Sequence, residues 1–473
     1  MKKTSLKRAA ALISAAALAA GAFSGCGSRK TAESGKKTIT IWSNGRSAAS
    51  IYKKCVEDFN KTNKDNIYID FQLKSDDYVD ALKAAYQSKS SPDIHPTNPN
   101  FDPGAMKNNW YRALDKETEK EFADELLLPD LFNRKTENDG SKTTISPRIG
   151  GISSFRFIYN KDLFRECGLD PDSPPKSWDE VRKYAKIITE KGNGKKYGFA
   201  LPLKSNGFIH YYVLYPAVAS GVLLINGYNC KEAKFEYSKY ADMIDVLKDI
   251  QNDGSMFPSP ATIDNDTARA QFAEGNVGMM TAASWDVAVF NEQFPAKFDW
   301  GCVDFPTING EAPAANPGVI GGGASYVMSA QSKYPDEQLE VFKWFVGPET
   351  CSKVQEAGLG NFGYKKLVGA DKINGDKKGA KELYSVSNPA FLIEGDSKAA
   401  TPFSHLKIEG DTYSDTIAAI IKANLDTKST LKDLDERYNA ALKTWIKEEK
   451  PVKELYINKD WTGIVDIDAL VKE

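Results

Sequence analysis

The chain has 473 residues, of which 27% are charged and 11% aromatic, with a formal net charge of −2. That is a globular composition, long enough for two domains or one large one with sizeable cores. Both signs of charge are interspersed, so no basic face marks a nucleic-acid partner.

The first element is an export signal. Lys2, Lys3, Lys7 and Arg8 precede an apolar stretch, Ala9 to Phe23, too short to span a bilayer as a stable helix. The small pair Ser24-Gly25 then meets Cys26. A basic start, a brief apolar core and small residues at a cleavage point describe a secretory signal. The cysteine directly after the small pair resembles the bacterial lipoprotein signal, in which that residue becomes the lipidated start of the mature protein. Phe23 departs from the pattern, which usually has Leu, Val or Ile there. The expectation is a signal over 1–25, lipidation at Cys26 and a tether over 26–37. The tether segment Gly27 to Lys37 has no apolar residue larger than Ala32, the composition of a flexible tether. No later apolar run approaches transmembrane length, so the membrane is touched only through the anchor.

The body opens with alternation at Thr38-Ile39-Thr40-Ile41-Trp42, ended by the turn signal Asn44-Gly45, which predicts a strand. Ala48, Ile51, Tyr52, Cys55, Val56 and Phe59 recur at helical spacing. A second strand is predicted at Ile67–Leu73, a helix capped by Ser75 with its face at Val79, Leu82, Ala85 and Tyr86, and a short strand at Pro92-Asp93-Ile94. Strand, helix, strand, helix, strand implies βαβ units and a parallel sheet. A second α/β region starts near residue 153 with a strand over Ser154–Tyr159. Ser177-Trp178-Asp179-Glu180 reads as a capping box, opening a helix that ends at Gly192. Further helices are predicted at 238–252, 266–274, 336–346, 414–425 and 430–448. In the last, Leu431, Leu434, Tyr438, Leu442 and Trp445 form a core-facing stripe.

Catalytic and metal motifs are scarce. His95, His210 and His405 are the three histidines; they form no HExxH and read as satisfied polar groups. There is no GxSxG elbow, and Gly192-Asn193-Gly194-Lys195 lacks the Walker spacing. A glycosidase-type carboxylate pair stays open, because its geometry is invisible in a sequence. Tyr211-Tyr212 is the one pair with a metal reading, as tyrosines ligate ferric iron in some exported binding proteins. Its setting in the apolar run Phe208 to Tyr215 favours core packing with one ring left for a ligand. Cys55, Cys167, Cys230, Cys302 and Cys351 are widely spaced and form no CxxC. They read as mostly buried free thiols, with one bridge as the alternative. No metal site and no cofactor are expected.

Several segments together resemble the family 1 extracellular solute-binding proteins of ABC importers, the group that includes maltose-binding protein. They are Ile39-Thr40-Ile41-Trp42-Ser43 with Glu57-Asp58-Phe59-Asn60; Ser91-Pro92-Asp93-Ile94; and Ile158-Tyr159-Asn160-Lys161-Asp162-Leu163-Phe164 with Cys167-Gly168-Leu169 and Pro175 to Glu180. Phe272-Ala273-Glu274-Gly275-Asn276-Val277-Gly278-Met279-Met280 with Trp285 follows, then Gly321-Gly322-Gly323 ahead of the Phe342/Trp344/Phe345 helix. The resemblance covers nearly all of residues 38–448.

It implies an α/β, two-lobed periplasmic-binding-protein-like fold, with a ligand cleft between lobes joined by crossing hinge segments. The implied first lobe is 38–152 plus 307–350 and the second is 153–306 plus 351–473. The implied activity is capture of a carbohydrate, by aromatic count an oligosaccharide, by a monomer that delivers it to ABC importer permease subunits and is not an enzyme. The implied address is the extracellular face of a Gram-positive membrane, held by the lipid anchor. Sugars need aromatic rings for their C–H faces and polar groups for their hydroxyls. Family positions then suggest Asn44, Arg46, Thr97 and Asn98 from the first lobe. They suggest Phe208, Tyr211, Trp285 and Tyr413 from the second, with backbone approach at Gly321, Gly322 and Gly323. Trp42, Trp178, Trp344 and Trp445 read as core. The alternatives are a surface carbohydrate-degrading enzyme, or the same fold binding iron or another small solute.

Overall fold

The computed structural model describes residues 35–46, 48–74, 78–98, 101–129, 132–137, 139–320, 325–367, 377–384, 390–392 and 402–466. The signal, Cys26, most of the tether, Ser75 and Gly321 to Gly323 lie outside them.

The first sheet joins β1 (Lys37–Ser43), β2 (Ile67–Leu73) and β3 (Ile94–Pro96). β1 lies between β2 and β3 and runs parallel to both. The alternation of β1 sends Ile39 and Ile41 into the core at 0% exposure, each burial stabilising by roughly 1.5–3 kcal/mol. The helix Ala49–Thr62 buries Tyr52, Cys55 and Val56, and the helix Tyr78–Gln87 buries Leu82 and Tyr86. A hairpin follows, β4 (Phe132–Thr136) with β5 (Lys142–Pro147), carrying a register shift at Asn133/Arg134.

The chain then enters the second lobe through β6 (Ile152–Asn160). Asn160 caps the next helix, Lys161–Glu166, by accepting from the Leu163 N–H at 2.9 Å. Leu163 and Phe164 then fall into the core, which explains the Tyr159-to-Phe164 motif. Ser177 and Glu180 form a reciprocal capping box on the helix Trp178–Lys191. β7 (Tyr197–Phe199) and the small hairpin β8 (Tyr228–Asn229) and β9 (Lys234–Phe235) come next. The helix Asn265–Ala273 follows; Phe272 is fully buried and Gly275 has φ +77° just beyond the helix end. A left-handed residue there closes the last turn. β10 (Val277–Ala283) is buried at every position, as its apolar run requires of a strand covered on both faces.

β11 (Trp300–Val303) and β12 (Asn316–Ile320) follow, then β13 (Tyr326–Met328), β14 (Ala390–Leu392) and β15 (Val465–Asp466). β13 completes the first sheet in the order β13-β3-β1-β2, antiparallel to β3. The larger sheet runs β15-β14-β12-β6-β10-β7, with β11 also on β6. It is mixed, unlike the parallel pairing of β1 with β2 and β3 that was expected for the first region. β10, β11 and β12 all run antiparallel to β6. The reason lies in the connections: β6 carries the chain into this lobe and β12 carries it out.

Two segments pack away from the lobe expected for them. The expected division at 350/351 falls inside the helix Pro348–Glu356. That helix and the residues up to Leu367 place Cys351, Val354, Phe362 and Tyr364 in the first core. β12 and Ala315, expected in the first lobe, belong to the second sheet and core. At the crossing two chain segments meet: Gly151 N–H donates to Asn361 O at 2.9 Å and Gly363 N–H to Ile149 O at 3.0 Å. A Cβ on Gly151 would lie 2.7 Å from Asn361 Oδ1 and 2.8 Å from Phe362 N, so only glycine fits.

The last long helix, Thr427–Glu449, buries Leu431, Leu434, Tyr438, Leu442 and Trp445, the predicted stripe. Trp178 and Trp445 are core, at 1% and 5% exposure. Trp42 and Trp344 are only half-buried, Trp42 beneath the Lys74 ammonium and Trp344 against Phe59. Cys55, Cys167, Cys230, Cys302 and Cys351 are free thiols. Among the described residues no helix is long and apolar enough to cross a membrane.

Candidate functional site

Strand direction decides where a site can form. β12 leaves the second sheet at Ile320, paired with Ile152, where β6 enters it. β10 ends on the same side, since Ala283 pairs with Phe155 and Ser284 N–H donates to Ser154 O at 3.1 Å. Trp285 therefore leaves the sheet at the end where the chain crosses between lobes. The first sheet is oriented likewise: β13 begins at Tyr326, opposite Pro96 at the end of β3. Ser43, the last residue of β1, shares a 2.9 Å hydrogen bond with the Tyr326 hydroxyl. Asn44, Arg46, Thr97 and Asn98 thus follow strand ends on the crossing side, where open α/β sheets bind ligands.

On the second lobe, three predicted residues come together. Tyr211 lies 5.5 Å from Phe208 and 5.9 Å from Trp285, centroid to centroid. Phe155 joins them, stacked on Tyr211 at 5.1 Å and edge-on to Trp285 at 5.5 Å. Tyr215 closes the cluster, stacked on Phe155 at 4.2 Å. A π-helical turn, His210–Leu214, sets the rings: Tyr212, Val213 and Leu214 point into the core while Tyr211 stays half-buried. Phe208 and Trp285 are half-buried as well. Phe155 and Tyr215, at 3% and 6% exposure, back these three rings from the core, so Phe208, Tyr211 and Trp285 offer apolar faces of fixed orientation.

Tyr413 sits beside this platform rather than in it. It starts the helix Tyr413–Lys422, stacks on Tyr237 at 5.5 Å and shares a 2.7 Å hydrogen bond with His210 Nε2. His210 Nδ1 lies 3.1 Å from Gly207 O, so this histidine is a satisfied polar group. The paired tyrosines diverge, Tyr212 being core at 1% exposure. Among the described residues no cluster of three or more His, Cys, Asp or Glu could hold a metal ion.

On the first lobe, Asn44 and Arg46 are exposed, and Thr97 and Asn98 half-buried. The loop after β3 is held by its backbone: Thr97 N–H donates to Ser325 O at 2.7 Å, and Asn98 N–H to Asp102 Oδ1 at 2.9 Å. Asp102 Oδ1 also accepts from the Tyr111 hydroxyl at 2.6 Å. Burial pushes the Asp102 carboxyl up to about 6, against the pull of these donors. Behind it, His95 is fully buried and contacts the Tyr86 hydroxyl through Nε2 at 2.8 Å. Burial holds His95 down to about 4, neutral at physiological pH.

Sequence reasoning missed Phe155, Tyr215 and Asp102. The alternation Phe155, Phe157, Tyr159 along β6 was the available signal for the first. Gly321 to Gly323 and Cys26 lie outside the described residues. Cavities of about 350 Å³ and about 670 Å³ lie elsewhere on the second lobe, beside Trp300 and Trp445. None of the predicted ligand residues lines either one.

A family described as bacterial extracellular solute-binding protein matches residues 42–350. The sn-glycerol-3-phosphate-binding periplasmic protein UgpB of Shigella dysenteriae is 29% identical over 177 residues, 37% of this chain and 39% of that protein. The match therefore spans about two fifths of the length of that relative. A structure described with xylan utilization by Caldanaerobius polysaccharolyticus aligns with TM-score 0.63 and 22% identity, covering 85% of this chain and 100% of that one. The cyclic alpha-maltosyl-1,6-maltose binding protein of Arthrobacter globiformis aligns with TM-score 0.60 and 17% identity, covering 87% and 100%. At these identities the structural likeness speaks for the two-lobed fold. With the family matched across more than half its length, the chain belongs to the bacterial extracellular solute-binding proteins.

Proposed function

We propose that the protein is the extracellular receptor of an ABC importer, capturing a carbohydrate between its lobes and handing it to membrane permease subunits. The platform of Phe155, Phe208, Tyr211 and Trp285 at the crossing end of the second sheet carries this reading. The half-buried rings Phe208, Tyr211 and Trp285, backed by the buried Phe155, suit the C–H faces of a sugar, and the polar loops at Asn44, Arg46, Thr97 and Asn98 suit its hydroxyls. Gly321, Gly322 and Gly323 follow β12 in the sequence and, as family positions, would offer backbone groups to the same ligand. Tyr413 supports the platform through His210 instead of stacking on the sugar.

The mechanism is a population shift. A ligand touches both lobes only when they close, so its binding favours the closed state. The permease then distinguishes loaded from empty receptor by shape. Cys26, lipidated after signal cleavage, and the tether behind it would keep the receptor beside the permease, as a monomer on the outer face of a Gram-positive membrane. The binding names of the structural relatives support a sugar. The name of the sequence relative supports a second ligand class, a polyol phosphate, for which exposed Arg46 is the suitable group.

Calorimetric titration with xylotriose, maltotriose, raffinose and sn-glycerol 3-phosphate tests the assignment, with chromatography of the same samples for products. Saturable binding of one sugar without cleavage is the expected result. Cleavage would show a carbohydrate-degrading enzyme, and binding of the phosphate alone would replace the sugar.

A further inference from the structure

Trp285 is followed at once by a buried charge. Asp286 is 3% exposed and heads the one-turn helix Asp286–Ala288, for which Trp285 is the N-cap residue. Its Oδ2 accepts from the Ala283 N–H at 2.8 Å. Its Oδ1 pairs with Arg269 Nη2 at 2.5 Å, both side chains almost wholly enclosed. Arg269 stands on the helix Asn265–Ala273 and also meets Asp266 at 3.0 Å. The pair thus ties the start of a helix–strand–turn unit to its end, with β10 between.

A buried ion pair is costly to assemble and is weak evidence for stability, but it fixes geometry. Burial pushes the Asp286 carboxyl up and the Arg269 guanidinium pulls against it. The carboxylate spans two anchors, a backbone N–H at the end of β10 and a guanidinium on the neighbouring helix. The peptide between Ala283 and Asp286 carries Ser284 and Trp285. Ser284 N–H is itself held by Ser154 O of β6. The turn is therefore pinned on three sides, while the Trp285 ring stays half-buried, edge-on to Phe155 and Tyr211.

We propose that Asp286 and Arg269 are positioning residues for ligand binding: their buried pair sets the orientation of the Trp285 ring on the aromatic platform. This rests on the reading of Trp285 as a ligand-stacking residue, and the two can fail separately. The pair touches no ligand itself. It makes the ring a fixed surface, so less conformational freedom is lost when a sugar stacks on it.

The test uses the full extracellular chain labelled with 5-fluorotryptophan. The Trp285 signal in the fluorine spectrum is identified as the one lost in Trp285→Phe. In Asp286→Asn, which retains an acceptor for Ala283 N–H, that signal should shift and broaden while the other tryptophan signals hold. Arg269→Lys, which keeps the charge but not the fork, should give an intermediate change. A Trp285 signal unchanged in Asp286→Asn overturns the proposal, and so does loss of dispersion in all signals, which would mark a purely structural pair. Calorimetry with whichever of xylotriose, maltotriose and raffinose binds adds the second arm. Asp286→Asn should weaken affinity about tenfold. If Trp285→Ala weakens binding and Asp286→Asn does not, the positioning role is refuted. If the signal moves but Trp285→Ala binds normally, the stacking role of Trp285 is refuted and the structural coupling stands.

Discussion

Replacing Asp102 by asparagine should change how stability depends on pH. The carboxyl holds its proton up to about 6 in the folded chain, against an ordinary value of 3.8. Between those values the folded state binds more protons than the unfolded one, so stability falls as pH rises. The contribution is fully present below 3.8 and is lost as pH rises through 6. Its size is about 3 kcal/mol, at about 1.36 kcal/mol per pH unit. The amide introduced by Asp102→Asn cannot ionise, yet its oxygen can still accept from Asn98 N–H and the Tyr111 hydroxyl. Urea unfolding of both proteins, at a pH of about 3.5 and again at about 7.5, gives two differences in stability. The variant should gain about 3 kcal/mol on the parent between the lower and the higher pH. A difference that does not change with pH would refute the argument that burial, more than its donors, governs this carboxyl.

Trp285→Ala should weaken sugar binding at least about tenfold, the scale of a lost aromatic anchor, with little change in unfolding midpoint; calorimetry checks both. Gly151→Val should destabilise the crossing by about 1–3 kcal/mol, since its Cβ would overlap Asn361 and Phe362, a loss read as a lower melting temperature. Leu82→Ala removes a fully buried side chain of the first lobe and should cost about 2–5 kcal/mol in chemical unfolding. Burial at 1% exposure pushes the Cys230 thiol up to about 12, so it should not react with a disulfide reagent at a pH of about 8 until denaturant is added.

What could be read from the sequence was local. Ser177 and Glu180 sit three residues apart and satisfy each other's backbone, so the capping box needs no distant partner. The strand alternation of β1 and the stripe Leu431 to Trp445 are likewise complete within one element. Phe208, Tyr211 and Trp285 came from family positions, and the structure gathers them; Phe155 belongs with them but reads in sequence as an ordinary strand residue. Tyr413 also came from family positions, and its hydroxyl is engaged by His210. Pairings across long separations were not legible. The Ser43–Tyr326 bond closes 283 residues, and nothing near either residue announces the other. The placement of residues 348–367 in the first core depends on the same long-range closure.

That closure has a consequence for the birth of the molecule. β13 and the helices that seal the first core are made only after most of the second lobe has left the ribosome. The second core in turn waits for the helix Thr427–Glu449. Neither lobe can finish early, because each lacks interior pieces encoded near the far end of the message. Chains dominated by distant contacts fold slowly. A chain exported before folding would stay pliable until both halves are complete, and would become rigid only then.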